Sequence, residues 1–331
     1  MLRYFLAACL LIVWLPINAF ASDTHFADKP EVKQFIAKMV KQYKFDKTAL
    51  TALFNTVTPR PVIIRAHQAP REKQQAWFLY ERSFVNEWRI QHGLMFWNKH
   101  AKVLAEAEKK YGVPASIIIA TLGVETRYGQ KMGGYHVMDA LSNIAFSNSS
   151  RSAFFKRELQ EFLLLAREQH INPAKQMGSY AGAMGQPQFM PSSYRAYAVS
   201  YSGKAPPDLV HNTNDAIFSV ANYYGRHGWK AQQPIAVPAT LVSDKHLPEL
   251  RSKTIPSTQL THYGLSSQYK FFRQDLQVSL IELNNYFEKE YWVGFYNFKV
   301  IKRYNSSNLY AMAVFSLSRH IVTLRSKLNN G

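Results

Sequence analysis

Apolar residues recur at helical spacing over most of this chain, and Pro, Gly and polar clusters mark the breaks. Val32, Phe35, Ile36, Met39 and Val40 define a first short helix. Asp46 is placed as the N-cap of a second, which carries Leu50, Leu53 and Phe54 and stops at Pro59 and Pro61. The stretch from Pro61 to Gln75 is polar, contains Pro70 and reads as a connecting loop. Trp77 to Tyr111 is helical and rich in aromatics, ending at Gly112-Val113-Pro114, with Pro114 suited to the first turn of the next helix. That helix, Pro114 to Tyr128, contains the unbroken run Ile117 to Val124. Residues 136 to 170 predict two more helices, the second through Phe154, Leu159, Phe162, Leu163 and Ala166. A glycine-rich loop follows at 178–187, residues 200–213 read as loop, and Asp215 to His227 is helical. After Trp229 the texture changes. Gln233 to Leu241, Leu276 to Leu283 and Tyr291 to Tyr304 alternate or are β-branched and predict short strands, before a closing helix from Leu309 to Leu328. The pattern is that of a mainly α (α+β) protein with a minor β element within about residues 229–304.

Composition adds limits. The 331 residues are enough for a sizeable core and more than one lobe, and 47% hydrophobic with 19% charged residues excludes a disordered chain. The net charge of +18 favours polyanionic partners, but Lys and Arg are dispersed, with no basic arm for nucleic acid. Arg3, the apolar stretch Tyr4 to Leu15, Pro16 and Ala19-Phe20-Ala21 have the layout of a signal peptide over residues 1–21, cleaved after Ala21. Losing Arg3 takes the charge from +18 to +17. Cys9, the only cysteine, lies inside that segment. Leu6-Ala7-Ala8-Cys9 spells a lipoprotein-type box but precedes most of the apolar stretch, so cleavage after Ala21 is favoured over lipidation at Cys9. The mature chain then has no thiolate nucleophile, no disulfide and no Cys-ligated zinc.

Glu125 is the feature that a bland helix does not explain. By helical spacing it shares a face with Ile117, Ile118, Thr121 and Leu122. A carboxylate on an apolar face is costly unless paired or protonated, and desolvation raises the pKa of such a group towards the range a general acid needs. The alternative is an ion pair with Arg127, Arg151 or another cation. The glycine-rich loop lets backbone approach a ligand closely, as a sugar groove requires, or is simply a tight connector; it lacks the Gly-Lys-Ser/Thr ending of a nucleotide loop. No His-x-x-x-His pair and no Gly-x-Ser-x-Gly elbow is present, which demotes metal and serine hydrolases.

Three motifs then carry a resemblance: Gly123-Val124-Glu125-Thr126-Arg127-Tyr128-Gly129, Gly178-Ser179-Tyr180-Ala181-Gly182-Ala183-Met184-Gly185 and Gln188-Phe189-Met190-Pro191-Ser192-Ser193-Tyr194. With Phe96-Trp97-Asn98, Asp139-Ala140-Leu141, Ser219-Val220-Ala221-Asn222-Tyr223, Arg303-Tyr304-Asn305 and Tyr310-Ala311-Met312-Ala313-Val314, they closely resemble the lytic murein transglycosylase B family over roughly residues 31–325. The resemblance implies a lysozyme-like catalytic core with an additional helical lobe and a small β lobe, spread over residues 22–331. It also implies non-hydrolytic cleavage of the MurNAc–GlcNAc β-1,4 bond of peptidoglycan in the periplasm of a Gram-negative bacterium. The family's catalytic glutamate falls on Glu125. Its sugar-contacting positions fall on Tyr80, Ser179, Gln188, Tyr223, Tyr304, Asn305 and Tyr310, and one peptide-stem arginine on Arg151, its neighbour being Ser150 here.

Two departures stand out. The family's calcium loop corresponds to Ser200–His211, which holds one carboxylate, Asp208, beside Lys204; no metal and no other cofactor is expected. Gln186-Pro187 precedes Gln188, and the proline stiffens the loop. Glycosidases ordinarily use two carboxylates, and the motifs supply one. Asp139, Glu158, Glu161 and Asp215 are further acids that no spacing sets opposite Glu125. One suffices if the sugar's own 6-hydroxyl closes a 1,6-anhydro ring. A hydrolytic muramidase on the same scaffold and a non-catalytic peptidoglycan-binding protein are the alternatives. The expected partners are glycan strands and other cell-wall enzymes, not nucleic acid, with the protein a monomer.

Overall fold

The computed structural model describes residues 25–68, 75–251, 253–269 and 276–329; the expected signal segment 1–21, with Cys9, lies outside them. The chain divides into two compact units, one ending at Asn55 and the other beginning at Thr56. In the first, α1 (Pro30–Tyr43) and α2 (Lys47–Asn55) follow a single 3-10 turn at Phe26–Asp28. Asp46 Oδ1 accepts the Ala49 N–H at 2.7 Å, the N-cap expected of it. Phe35 meets Phe54 edge-on, ring centroids 5.8 Å apart.

The second unit opens with α3 (Pro61–Gln68), α4 (Trp77–Phe84), α5 (Glu87–Lys99), α6 (Ala101–Tyr111) and α7 (Ala115–Thr126). A two-residue ladder of β1 (Tyr135–His136) and β2 (Met177–Gly178) brackets α8 (Val137–Ala145) and α9 (Ser152–Glu168). Then come α10 (Pro191–Tyr197) and α11 (Thr213–Arg226). The β lobe follows: β3 (Ala236–Leu241), α12 (Leu247–Leu250), β4 (Ile255–Pro256), β5 (Leu265–Ser266), β6 (Gln277–Asn284) and β7 (Lys289–Gly294). Finally α13 (Tyr296–Tyr304) and α14 (Asn308–Asn329) return to the helical core. The sheet is antiparallel in the order β4-β6-β7-β3-β5 over its own core, which includes Leu250, Tyr263, Val278, Val293 and Phe295. This is the mainly α chain with a small β element that the pattern predicts.

Helix α7 is the axis of the core. Every residue from Ala115 to Val124 except Ser116 is buried, so it has no single apolar stripe but is enclosed on all sides by α5, α6, α11 and α14. Burying each of its isoleucines contributes about 1.5–3 kcal/mol. The face assigned to Glu125 is therefore corrected: Glu125 is half-buried, at the C-terminal end of a wholly buried helix.

Two other expectations are overturned. The first part of the predicted loop, residues 61–68, is the helix α3, with Pro61 at its first position and Ile63 buried, while 69–74 lie outside the described residues. Tertiary bonds fix its entry: Thr58 N–H donates to Asp139 Oδ1 (3.0 Å) and Arg60 N–H to Asn143 Oδ1 (2.7 Å), both acceptors on α8. The predicted strand Tyr291–Tyr304 is split: β7 ends at Gly294 and α13 takes over. Buried Asn297, in the first turn of α13, secures the change by accepting from Lys230 N–H and donating to the Lys230 and Gln233 carbonyls. The β-branched pair Val300-Ile301 is buried on a helix rather than a strand. Pro114 sits one residue outside α7, as its N-cap.

Candidate active site

Helix α7 ends immediately after Glu125. Arg127, Tyr128 and Gly129 all take left-handed backbone (φ 51°, 59° and 86°), and the Arg127 and Tyr128 N–H groups return to the Gly123 and Leu122 carbonyls. Two of these residues carry side chains, so the turn must be held from outside. Arg89, buried on α5, donates from Nε to the Gly123 carbonyl (3.1 Å) and from Nη1 to the Ser83 carbonyl (2.6 Å). Burial, then the nearby Arg127, holds its pKa below the usual value. The Tyr128 hydroxyl donates to the Arg89 carbonyl at 2.6 Å and fills a notch between two helices; a Cβ on Gly93 or Gly123 would lie 2.7 or 2.6 Å from it. Thr126 Oγ1 donates to the Gln186 carbonyl (2.8 Å) and accepts the Gly129 N–H (3.0 Å), tying the turn to the glycine-rich loop.

Phenols frame the Glu125 carboxylate. The Tyr310 hydroxyl, from the first turn of α14, donates to Glu125 Oε1 at 2.7 Å. The Tyr304 ring lies parallel to Tyr310 at 6.3 Å, and Tyr223 and Tyr224 of α11 meet Tyr304 at 4.8 and 5.5 Å. The Tyr224 hydroxyl is 2.9 Å from Thr121 Oγ1. Burial, reinforced by the Glu125 charge, pushes Tyr304 and Tyr310 well above the usual tyrosine range; burial also raises Tyr224. These phenols therefore act as hydrogen-bond donors and not as bases.

The glycine-rich loop forms the adjoining wall. Ser179 N–H donates to the Ala183 carbonyl, while its Oγ accepts the Ala181 and Ala183 N–H groups. Gln188 has left-handed backbone (φ 51°), and its Nε2 donates to the Met132 and Gly185 carbonyls, both at 3.0 Å. The Pro187 carbonyl accepts the Tyr304 hydroxyl at 2.5 Å, so the proline that departs from the family pattern links the loop to the end of α13.

The remaining expected site residues are arranged differently. Tyr223 is buried and its hydroxyl donates to the Arg303 carbonyl (2.6 Å). Asn305 is exposed, its Oδ1 accepting the Ser307 N–H. Tyr80, only 2% exposed, stacks on Trp77 and tilts against Phe84 on α4, a helix packed against α14. Arg151 precedes α9 with its guanidinium over Phe154 and Phe155. Arg127, one ion-pair candidate for Glu125, lies over the Trp88 ring (5.2 Å). Tyr224 was not anticipated. Thr121, one helical turn before Glu125, was placed on its face, but nothing in the spacing reaches 103 residues on to Tyr224.

The four other carboxylates weighed as partners are each bound elsewhere. Asp139 pairs with Arg60 (3.1 Å), Glu161 with Arg195, and Glu158 accepts the Ser192 N–H and hydroxyl at the start of α10. Asp215 accepts the Tyr201 N–H (2.8 Å) and the Asp208 N–H (2.9 Å), one on each oxygen. Asp208 in turn accepts the Val210 and His211 N–H groups and pairs with the His211 ring. In the 200–211 loop Asp208 thus serves two backbone N–H groups and the His211 ring, while Asp215 of α11 serves two backbone N–H groups of the loop. Calcium takes six to eight oxygens, and both carboxylates here already accept backbone N–H groups.

Comparison with known proteins gives the family. The family described as "Transglycosylase SLT domain" matches residues 27–319. The chain is 38% identical over 317 residues to the membrane-bound lytic murein transglycosylase B of Escherichia coli K12, covering 93% of this chain and 87% of that protein. The E. coli lytic transglycosylase SLT35 in complex with calcium superposes with a TM-score of 0.84 at 38% identity, covering 91% of this chain and 95% of that one. SltB3 of Pseudomonas aeruginosa in complex with NAG-NAM-pentapeptide superposes at 0.78 and 26% identity, covering 87% and 78%. The lysozyme-like core, the buried axial helix ending at Glu125 and the match over nearly the whole length lead to one conclusion: this chain belongs to the SLT-domain transglycosylases, among the lytic murein transglycosylases of type B, and is a peptidoglycan lytic transglycosylase.

Proposed function

We propose that Glu125 alone serves as acid and then base in a non-hydrolytic cleavage of the MurNAc–GlcNAc β-1,4 bond that leaves 1,6-anhydroMurNAc ends. The observation that carries the reading is the setting of Glu125: a carboxylate framed by phenols, while Asp139, Glu158, Glu161 and Asp215 are engaged elsewhere. Glu125 protonates the glycosidic oxygen, and the C1–O bond breaks with its electron pair going to that oxygen. The N-acetyl carbonyl of MurNAc stabilises the cationic C1. The resulting carboxylate takes the proton of the 6-hydroxyl as that oxygen bonds to C1. Protons balance and no water enters, unlike the two-carboxylate hydrolases.

Ser179, Gln188, Tyr304, Asn305 and Tyr310 orient the sugar and shield the cation, with Tyr80 and Tyr223 supporting the groove, and Arg151 attracts the carboxylates of peptide stems. Binding of a NAG-NAM-pentapeptide by SltB3 supports a glycan carrying its stem as the substrate. The enzyme works as a monomer, without calcium, in the periplasm. Among the described residues no helix is long and apolar enough to cross a membrane.

Digestion of purified sacculi with mass analysis of the products tests this. Anhydro ends are expected. Reducing ends would instead assign a muramidase on the same scaffold. Glu125→Gln is expected to lower release about 10²–10⁴-fold while sacculus binding persists; undiminished release would remove Glu125 from its role.

A further inference from the structure

Glu125, on the reading above, must stay in place while it gives up a proton and takes one back. The turn that carries it is not self-supporting. Thr126 ends α7, and Arg127 and Tyr128 follow in left-handed backbone, which residues with side chains adopt at a cost. Arg89 and the Tyr128 hydroxyl fasten the turn to α5. A second hold comes through a single residue, Gln186.

Gln186 is buried, and its polar groups serve two separate stretches of chain. Its N–H donates to the Leu209 carbonyl (2.8 Å) and its Nε2 to Thr213 Oγ1 (3.1 Å), with the Val210 carbonyl at 3.4 Å. Its carbonyl accepts from Thr126 Oγ1 at 2.8 Å. That hydroxyl has one proton, and the Leu122 carbonyl, the other acceptor in reach, is farther off at 3.3 Å. Thr126 Oγ1 itself accepts the Gly129 N–H (3.0 Å). The Gln186 side chain also lies against Gly129, where a Cβ would come within 3.1 Å of Cδ and 3.2 Å of Oε1. Gln186 thus touches the turn at Thr126 and at Gly129, which flank Arg127 and Tyr128.

The stretch that holds Gln186 is itself fixed. Leu209 N–H donates to the Tyr194 hydroxyl (3.1 Å) and Val210 N–H to Asp208 Oδ1 (2.9 Å), while Asn212 Oδ1 accepts the Asn214 and Asp215 N–H groups at the start of α11. Pro187 narrows the backbone choices of the residue before it. A Gln186 held by its N–H and its amide therefore has little freedom left in where its carbonyl points. We propose that Gln186 is a positioning residue for the cleavage: it carries the fixed geometry of residues 209–213 to Thr126, and so sets where the Glu125 carboxyl stands against the sugar. Buried as it is, it acts through Thr126 and Gly129 and not on the substrate. The inference rests on Glu125 being the acid and base.

Its test is the kinetics of Gln186→Met on soluble glycan oligomers, read well below the Tm of each variant. The methionine keeps the length of the side chain and removes its amide. Because a misplacement of about 1 Å at a catalytic group costs on the order of a hundredfold, kcat is expected to fall about ten- to a hundredfold, with KM within about twofold of wild type. Thr126→Val lowers kcat similarly, and Thr126→Ser, which keeps the hydroxyl, stays near wild type. Thr213→Val gives a smaller, severalfold fall and adds nothing in the Gln186→Met background, where the amide it acts through is already gone. A merely structural role would lower Tm in these variants without that pattern in kcat. If Gln186→Met does not fold, Thr126→Val combined with Thr213→Val decides: their effects on kcat are expected to fall short of additive, although no hydrogen bond joins the two residues. Wild-type kcat in Gln186→Met, a raised KM with kcat kept, equal losses in Thr126→Ser and Thr126→Val, or additive effects of Thr213→Val with either partner overturns the positioning role. Full activity of Glu125→Gln would instead overturn the underlying assignment, so the two failures are distinguishable.

Discussion

The loops at 178–188 and 200–211 are similar in length, yet they are held in opposite ways. In the first, backbone packs on backbone. A Cβ on Gly178 would meet the Ala183 carbonyl oxygen at 2.4 Å, one on Gly185 the Leu209 carbonyl oxygen at 2.5 Å, and one on neighbouring Gly133 the Gly178 carbonyl oxygen at 2.1 Å. In the second, Gly203 faces open space, and the shape depends on two carboxylates, Asp215 and Asp208, that collect backbone N–H groups. A loop closed by backbone contact holds its wall without any charged side chain, and even the Gln188 amide is used to fasten it to the Met132 and Gly185 carbonyls. A loop closed by carboxylates has those carboxylates committed to its N–H groups.

The contrast is broken or sharpened by substitution. Gly133→Ala is the harshest case, because it combines a φ of 101° with the 2.1 Å overlap; a loss of about 3 kcal/mol or more in urea unfolding is expected, with activity lost in parallel. A value within 1 kcal/mol of wild type, on that order-of-magnitude scale, would mean that the wall yields. Asp215→Asn comes next, at about 2 kcal/mol, since one amide oxygen can accept one of the two N–H groups while the NH2 confronts the other. Gly203→Ala pays only for its φ of 66° and is expected to cost about 1 kcal/mol or less by the same measurement.

Smaller still is the effect of Glu158→Gln, beside the α10 helix that follows the first loop. Burial raises Glu158 above its ordinary 4.5. The folded state therefore binds this proton more tightly than the unfolded chain, and wild type loses stability as pH rises from about 4.5 through the folded-state pKa. The glutamine variant lacks that loss, so its Tm relative to wild type should improve with rising pH across the same window. A constant difference would count against the burial cause. Smallest of all is metal: adding millimolar calcium or a chelator should leave Tm and activity unchanged, whereas a calcium-dependent rise in Tm would show that the second loop still presents ligands.

Long periodic segments were legible in the sequence because their burial repeats at the helical period, as in α1, α9 and α14. Elements decided by distant contacts were not. Helix α3 depends on Asp139 and Asn143 some eighty positions away, and α13 on Asn297 bridging to Lys230 and Gln233. In the site, Glu125 announced itself as an acid ending an apolar run, and the glycine spacing marked the facing loop. Tyr224 left no such signal. It adjoins Tyr223 in a helix full of aromatics, and only the fold brings the second of the pair, and not the first, against Thr121.

The notch that receives the Tyr128 hydroxyl has a consequence for how this chain tolerates change. Gly93 on α5 and the pair Gly123 and Tyr128, thirty or more positions later in one motif, share one small volume. In a library that varies all three, each position will look intolerant when scored singly, and the surviving combinations should be correlated. A bulkier residue at 123 persists only where 128 has become smaller, and one at 93 only where both 128 and Ile321 give way, so a neutral walk through sequence space must cross this group by compensated steps.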